Sequence, residues 1–170
     1  IVEATVGLIV AVAITALLAW LFVLMPWFER KAAPMTVALQ SIPILAIAPL
    51  LTIWFGPGFG SKVAASTIVC FFPLLSGWVS GVRSFDVDER DLFIIFGASK
   101  WEMTRFLLIP RALPYFFSGL KVAAPLSLLG AIVGEFVGSS AGLGFLILSS
   151  SYYVRTDFMF ACILIVSVCG

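Results

Sequence analysis

ATVGLIVAVAITALLAWLFVLM, residues 4–25, contains 22 residues without one charge, and the flanking carboxylates Glu3 and Glu29 bound it. A helix needs about 20 apolar residues to cross the roughly 30 Å hydrocarbon core of a bilayer. This stretch meets that length, and its Ala, Val, Leu and Ile content suits a helix in lipid. It lacks a basic start and a small-residue cleavage site, so it reads as a true span and not as a secretory leader. Trp20 and Trp27 are expected towards a membrane interface.

The pattern repeats outward from this stretch. Of the 170 residues 62% are hydrophobic and 11% charged, and the mean hydropathy is +1.16. That is more apolar surface than a soluble fold buries. After Glu29-Arg30-Lys31, a charge-free run over residues 32–61 provides a second span and a Gly-rich connection. Pro43 and Pro49 interrupt this span, which suits a helix facing protein or a cavity. A third span is expected over 62–82 and a fourth over 112–137, with Lys121 snorkelling at one end and Glu135 near the other. Gly138 to Gly144 breaks the fourth helix, a short or re-entrant helix follows over 145–153, and a last span starts after Asp157. Residues 158–170 are too few to cross alone, and the chain opens without Met, so both ends are expected to continue. The result is an all-α membrane protein with about five spans, a single domain over 1–170.

Charge distribution orients it. Arg30, Lys31, Arg83, Arg90, Lys100, Arg105, Arg111 and Lys121 fall in the first turn and the central segment, against Lys62 and Arg155 on the other side. The positive-inside rule therefore puts the first turn and the central loop in the cytoplasm, with residues 56–61 and 138–157 outside.

Other chemistries find no residues. The chain has no histidine, which excludes Ser-His-Asp and Cys-His sets. Cys70, Cys162 and Cys169 lack CxxC spacing and read as buried small hydrophobes. Residues 56–63, GPGFGSKV, fail as a phosphate loop: Ser61 separates glycine from lysine, Val63 stands where a hydroxyl should bind magnesium, and the loop lies outside. A tight turn suffices there. With a net charge of +1, nothing points to nucleic acid.

The central loop carries the chemistry. Asp86, Asp88 and Glu89 precede Leu92, Phe93, Ile95 and Phe96, placing carboxylates at a helix start. Gly97 ends that helix, and Ser99-Lys100-Trp101-Glu102 has the form of a capping box that opens a second helix towards Pro110. The two short helices form an elbow over residues 86–110. Leu92, Phe93 and Phe96 beside charges would be a liability without a partner.

On these residues the chain resembles the inner-membrane permease subunits of binding-protein-dependent ABC importers, whose cytoplasmic EAA motif reads EAA, three residues, Gly, nine residues, I-x-L-P. Asp91-Leu92-Phe93 occupy the EAA positions, Gly97 with Ala98 the turn, and Leu107-Leu108-Ile109-Pro110 the close. Glu to Asp and Ala-Ala to Leu-Phe are departures. Gln40-Ser41-Ile42-Pro43, Ala48-Pro49-Leu50, Trp54-Phe55-Gly56, Gly134-Glu135-Phe136 and residues 138–144 resemble the nitrate, sulfonate and taurine branch. The resemblance implies a type I ABC importer-like transmembrane domain in a bacterial inner membrane. It implies coupling through Asp91, Leu92, Phe93, Gly97, Ala98 and Pro110 to cytosolic ABC ATPase subunits, which would bind ATP-Mg; this chain would hold no cofactor and no ATPase site of its own. It further implies a second permease copy or paralogue, and a periplasmic or extracellular solute-binding protein. Substrates of the branch range from nitrate, bicarbonate, taurine and alkanesulfonates to pyrimidine vitamin precursors and riboflavin.

Pro43, Pro49 and Glu135 are the expected pathway or gate positions. For Glu135 two readings stand: a pore-lining carboxylate, costly at mid-span, or an outer carboxylate that hydrates itself or caps the Gly138 break. An ion-coupled secondary transporter or channel, using broken helices and Glu135, is the alternative from another class. A membrane scaffold explains the hydrophobicity but not the EAA-like spacing.

Overall fold

The computed structural model describes residues 1–25, 41–84 and 86–170. Within them run α1 (Val2–Leu24), α2 (Ile44–Phe55), α3 (Phe59–Val82), α4 (Val87–Ile95), α5 (Lys100–Met103), a π-helical turn (Thr104–Leu108), α6 (Ile109–Gly138), α7 (Leu143–Tyr152) and α8 (Thr156–Cys169). Three helical runs are long and apolar enough to cross a membrane: 2–24, 59–82 and 100–138. Helices α2, α7 and α8 are shorter and apolar. Residues 26–40, which include Trp27, the basic first turn and the start of the expected second span, lie outside the described residues.

The core is built on small side chains. Ala4, Gly7, Ala11, Thr15, Ala19 and Phe22 form the buried stripe of α1, whereas Ile9, Ile14 and Leu17 are exposed. In lipid, large apolar side chains gain little by leaving the bilayer, so helices associate where small residues let backbones approach. A methyl on Gly77 would stand 2.7 Å from the Tyr115 carbonyl, and one on Gly130 would stand 2.6 Å from the Ser66 Cα. These contacts make α3 and α6 an antiparallel pair, since Lys62 faces Gly134 at one end and Gly81 faces Ala112 at the other.

Helix α1 runs parallel to α3: Gly7 abuts Ser66, and Ala19 and Phe22 lie near Trp78 and Val82. Two parallel spans need a return between them, and α2 occupies that place in the chain. Hydroxyls and a thiol tie the bundle together. The Ser66 hydroxyl lies 3.0 Å from the Ser127 carbonyl and 3.3 Å from that of Ala4, and Cys70 Sγ donates to Ala123 O at 3.3 Å. Cys70 and Cys162 are buried as expected, but Cys169 is exposed near the end of α8.

Pro43 is the N-cap of α2 and Pro49 lies inside that helix. The Gly56-Pro57-Gly58 connection is a tight turn, with Gly56 at φ +79°.

Candidate functional site

The two ends of α6 carry the two candidate regions, about 45 Å apart at 1.5 Å per residue. At its N-terminal end lies the elbow. Helix α4 opens with acidic residues in its first turn, and the Glu89 carboxylate lies 3.5 Å from the Asp86 N–H. It closes as a Schellman motif. Gly97 stands at φ +70°, its N–H donates to Ile94 O at 3.0 Å, and the Ala98 N–H donates to Phe93 O at 2.9 Å. That satisfies carbonyls otherwise left bare at a helix end.

The second arm begins with the expected capping box. The Glu102 carboxylate accepts from Ser99 N–H at 2.8 Å, and the Glu102 N–H reaches Ser99 Oγ at 3.3 Å. This arm is not a separate short helix, however. Pro110 falls in the first turn of α6, following the π-helical turn. In that turn the Ile109 N–H reaches back to the Thr104 carbonyl, just ahead of the residue that has no N–H to donate. The helical run therefore continues from Lys100 to Gly138, 39 residues.

Of the expected coupling residues, Asp91, Leu92, Gly97 and Pro110 are exposed, and Phe93 and Ala98 are half-buried. Asp91 is the fifth residue of α4, mid-helix, so a charge there acts less on the helix start than its EAA position suggests. The apolar exposure belongs chiefly to Ile95 at 79% and Phe96 at 81%, with Leu92 at 53%. Two contacts brace the elbow. Arg111 on α6 pairs with Glu89 on α4, and Trp101 meets Trp20 of α1 edge-on, with ring centroids 5.6 Å apart.

At the far end of α6 lies Glu135, 7% exposed. Its Oε2 accepts the N–H of Gly144 in the first turn of α7, so the carboxylate caps the helix that follows the glycine break. Gly142 precedes that helix at φ +118°, and a methyl there would fall 2.4 Å from the Glu135 carboxylate. Glu135 lines a cavity of about 450 Å³ together with Glu3 and Lys62. The Lys62 Nζ lies 3.6 Å from the Glu3 carboxylate.

Pro43 and Pro49 do not line this cavity, so the three expected pathway residues are not brought together within one chain. The Glu3–Lys62 pair was not foreseen from the sequence. Its signal was there: each is a lone charge beside the N-terminal end of an otherwise uncharged span.

The family model described as binding-protein-dependent transport system inner membrane component matches residues 4–170. The formylaminopyrimidine transport permease protein of Halalkalibacterium halodurans is 36% identical over 170 residues, covering 98% of this chain and 66% of that protein. The riboflavin transport system permease protein of Chloroflexus aurantiacus is 40% identical over 121 residues, 71% of this chain and 45% of that protein. The putative aliphatic sulfonates transport permease protein of Bacillus subtilis is 29% identical over 142 residues, 84% of this chain and 51% of that protein. The chain thus spans 45% to 66% of the length of these relatives.

Proposed function

Because the chain belongs to the family of binding-protein-dependent transport system inner membrane components, we propose that it forms the membrane pathway of an ABC importer with a second permease copy or close paralogue. Residues 86–110 dock on separate cytosolic ATPase subunits, which bind ATP-Mg, and a solute-binding protein delivers a small organic solute to the outer face of the bacterial inner membrane. The relatives' names, which cover a pyrimidine, riboflavin and sulfonates, agree with the nitrate, sulfonate and taurine branch and leave the solute itself open.

The observation that carries this reading is the elbow: a short helix with Ile95 and Phe96 about four-fifths exposed, ended by a left-handed glycine and set among charges. Such a knob suits helix-in-groove recognition. The continuity of the run from Lys100 to Gly138 adds a mechanism. A displacement of the elbow, when ATP draws the ATPases together, is carried along one helical body to the turn that holds Glu135, and the spans exchange inward-open and outward-open arrangements. The Gly144 N–H engages one oxygen of Glu135, and no group of three or more potential metal ligands among the described residues favours the ion-coupled alternative.

Gly97→Val tests the docking role, because a β-branched residue is badly placed at positive φ. The spans should still insert while the ATPase ceases to co-purify and substrate-stimulated ATP hydrolysis is lost at equal membrane abundance. Asp91→Lys should weaken the same docking to a smaller degree. Full ATPase binding by both variants would reduce the elbow to an ordinary connector.

A further inference from the structure

Lys121 does not stand at one end of its span, as the sequence suggests, but level with the middle of the spans beside it. Its depth is fixed by its neighbours along α6. A methyl on Gly119 would meet the Pro73 carbonyl, and the Ala123 carbonyl accepts from Cys70 Sγ at 3.3 Å. Lys121 is therefore level with Phe71 and Phe72, the thirteenth and fourteenth of the 24 residues of α3. On the other neighbour Ala11, the tenth of the 23 residues of α1, packs in the same buried cluster as Cys70 and Ala123. At 1.5 Å per residue, the ends of α1 and α3 are roughly 15 Å or more away along the axis. A four-carbon stem does not reach that far.

The Lys121 side chain is exposed and has no ion pair or hydrogen bond among the described residues. It projects away from the bundle, since Ala123, two positions on, is fully buried and lies about 200° round the helix. Pro114, Ser118, Lys121 and Pro125 are all exposed and recur at the spacing of one helix face. This stripe is polar. Ser118 Oγ donates to the Pro114 carbonyl at 2.9 Å, and Pro125, which has no N–H, leaves the Lys121 carbonyl without its helical donor. An ammonium and a bared carbonyl at mid-depth are both costly against lipid, and such groups face water or protein.

We infer that the face of α6 carrying Pro114, Ser118, Lys121 and Pro125 is a wall of the water-filled solute pathway, and that Lys121 is its charge-selective residue at mid-depth. The inference rests on the permease reading and gives that pathway a lining. An ammonium offers three donors and no acceptor, so it favours neutral or anionic solutes that present acceptor atoms and it opposes cations. The bared carbonyl keeps water at the same level. In a pair of identical copies two such ammonium groups would face one pathway, and their repulsion disfavours a dry seal there.

The test is thiol reactivity in the full-length permease, made cysteine-free and assembled with its ATPase in nanodiscs, where reagents reach both faces. The probes are an anionic and a cationic methanethiosulfonate, 2-sulfonatoethyl and 2-trimethylammonioethyl. Because such reagents need an ionised thiol in water, Lys121→Cys should react at least about tenfold faster than Ile14→Cys in the nucleotide-free or the ATP-bound state. Ile14 is an exposed position of α1 at similar depth. Selectivity is read at Ser118→Cys, one turn from Lys121. Adding Lys121→Gln should lower the ratio of anionic to cationic reaction rates at least about fivefold, since a unit charge about 5–6 Å away acts with opposite sign on the two reagents. Lys121→Arg should preserve the ratio, which a packing role would not set. Retention of the ATPase by each variant reports that it is folded. Reaction of Lys121→Cys as slow as that of Ile14→Cys in both states would mean that lipid or a dry subunit contact covers this face, and an unmoved ratio in Lys121→Gln would remove the selectivity; either overturns the inference. If the wild-type permease instead fails to retain its ATPase, the permease reading itself is broken, so the two failures are distinguishable.

Discussion

Gly97 and Gly142 both turn the chain at positive φ, +70° and +118°, yet they are surrounded differently. A methyl on Gly97 would meet nothing within 4 Å, whereas one on Gly142 would land on the Glu135 carboxylate. Gly97 is required by its own neighbours, through the Schellman bonds that close α4. Gly142 is required twice: by a backbone at φ 118° and ψ 170°, a region open essentially to glycine alone, and by a side chain from the preceding helix. The Gly97 turn is an exposed, locally determined knob. The Gly142 turn is folded into the bundle and holds a buried carboxylate.

An all-or-none experiment tests whether these are opposite ends. Single cysteines placed at Lys100 and at Ser140 in a cysteine-free background should label from opposite sides of the membrane, Lys100 only from the cytoplasmic side. Labelling of both from one side would break the comparison outright. Next in size is the pair Gly142→Ala and Gly97→Ala. Backbone strain of about 1–3 kcal/mol applies to both, but only Gly142→Ala must also displace Glu135. It should lower the unfolding temperature in detergent clearly more than Gly97→Ala does; equal losses would show that the Glu135 contact contributes nothing.

A smaller effect is expected on turnover. Glu135→Gln should change transport or basal ATP hydrolysis more than Asp157→Asn, because Asp157 is exposed at the start of α8 while Glu135 joins α6 to α7. Near-wild-type rates for both would leave Glu135 a purely structural cap. The smallest effect sharpens the Gly97 side: Ser99→Ala removes one half of a capping box and should cost about 1 kcal/mol, read as faster amide exchange confined to residues 100–104. Exchange spreading into α6 would mean that the elbow is not locally determined.

What the sequence by itself determined lies within a few residues of each signal. The uncharged runs located α1, α3 and α6, because a bilayer imposes length and apolarity on any span. Gly97, the Ser99–Glu102 box and the glycine break after Gly138 were legible because caps and turns are closed by bonds between near neighbours. Three features were decided only by the tertiary structure. One is the fusion of the elbow's second arm to α6, where a π-helical turn ahead of Pro110 lets the helix pass a residue that reads as a stop. Another is the hydrogen bond that the Gly144 N–H donates to Glu135, which forms because α7 folds back on the end of α6. The third is the Glu3–Lys62 pair, whose partners lie on different helices and meet only because α1 and α3 run parallel. That packing is set by the stripe from Ala4 to Ala19 against Ser66 and Cys70, a pattern of side-chain size within a uniformly apolar stretch. Hydropathy marks such a stretch as a span, but the direction in which it faces depends on which neighbour's backbone can come close.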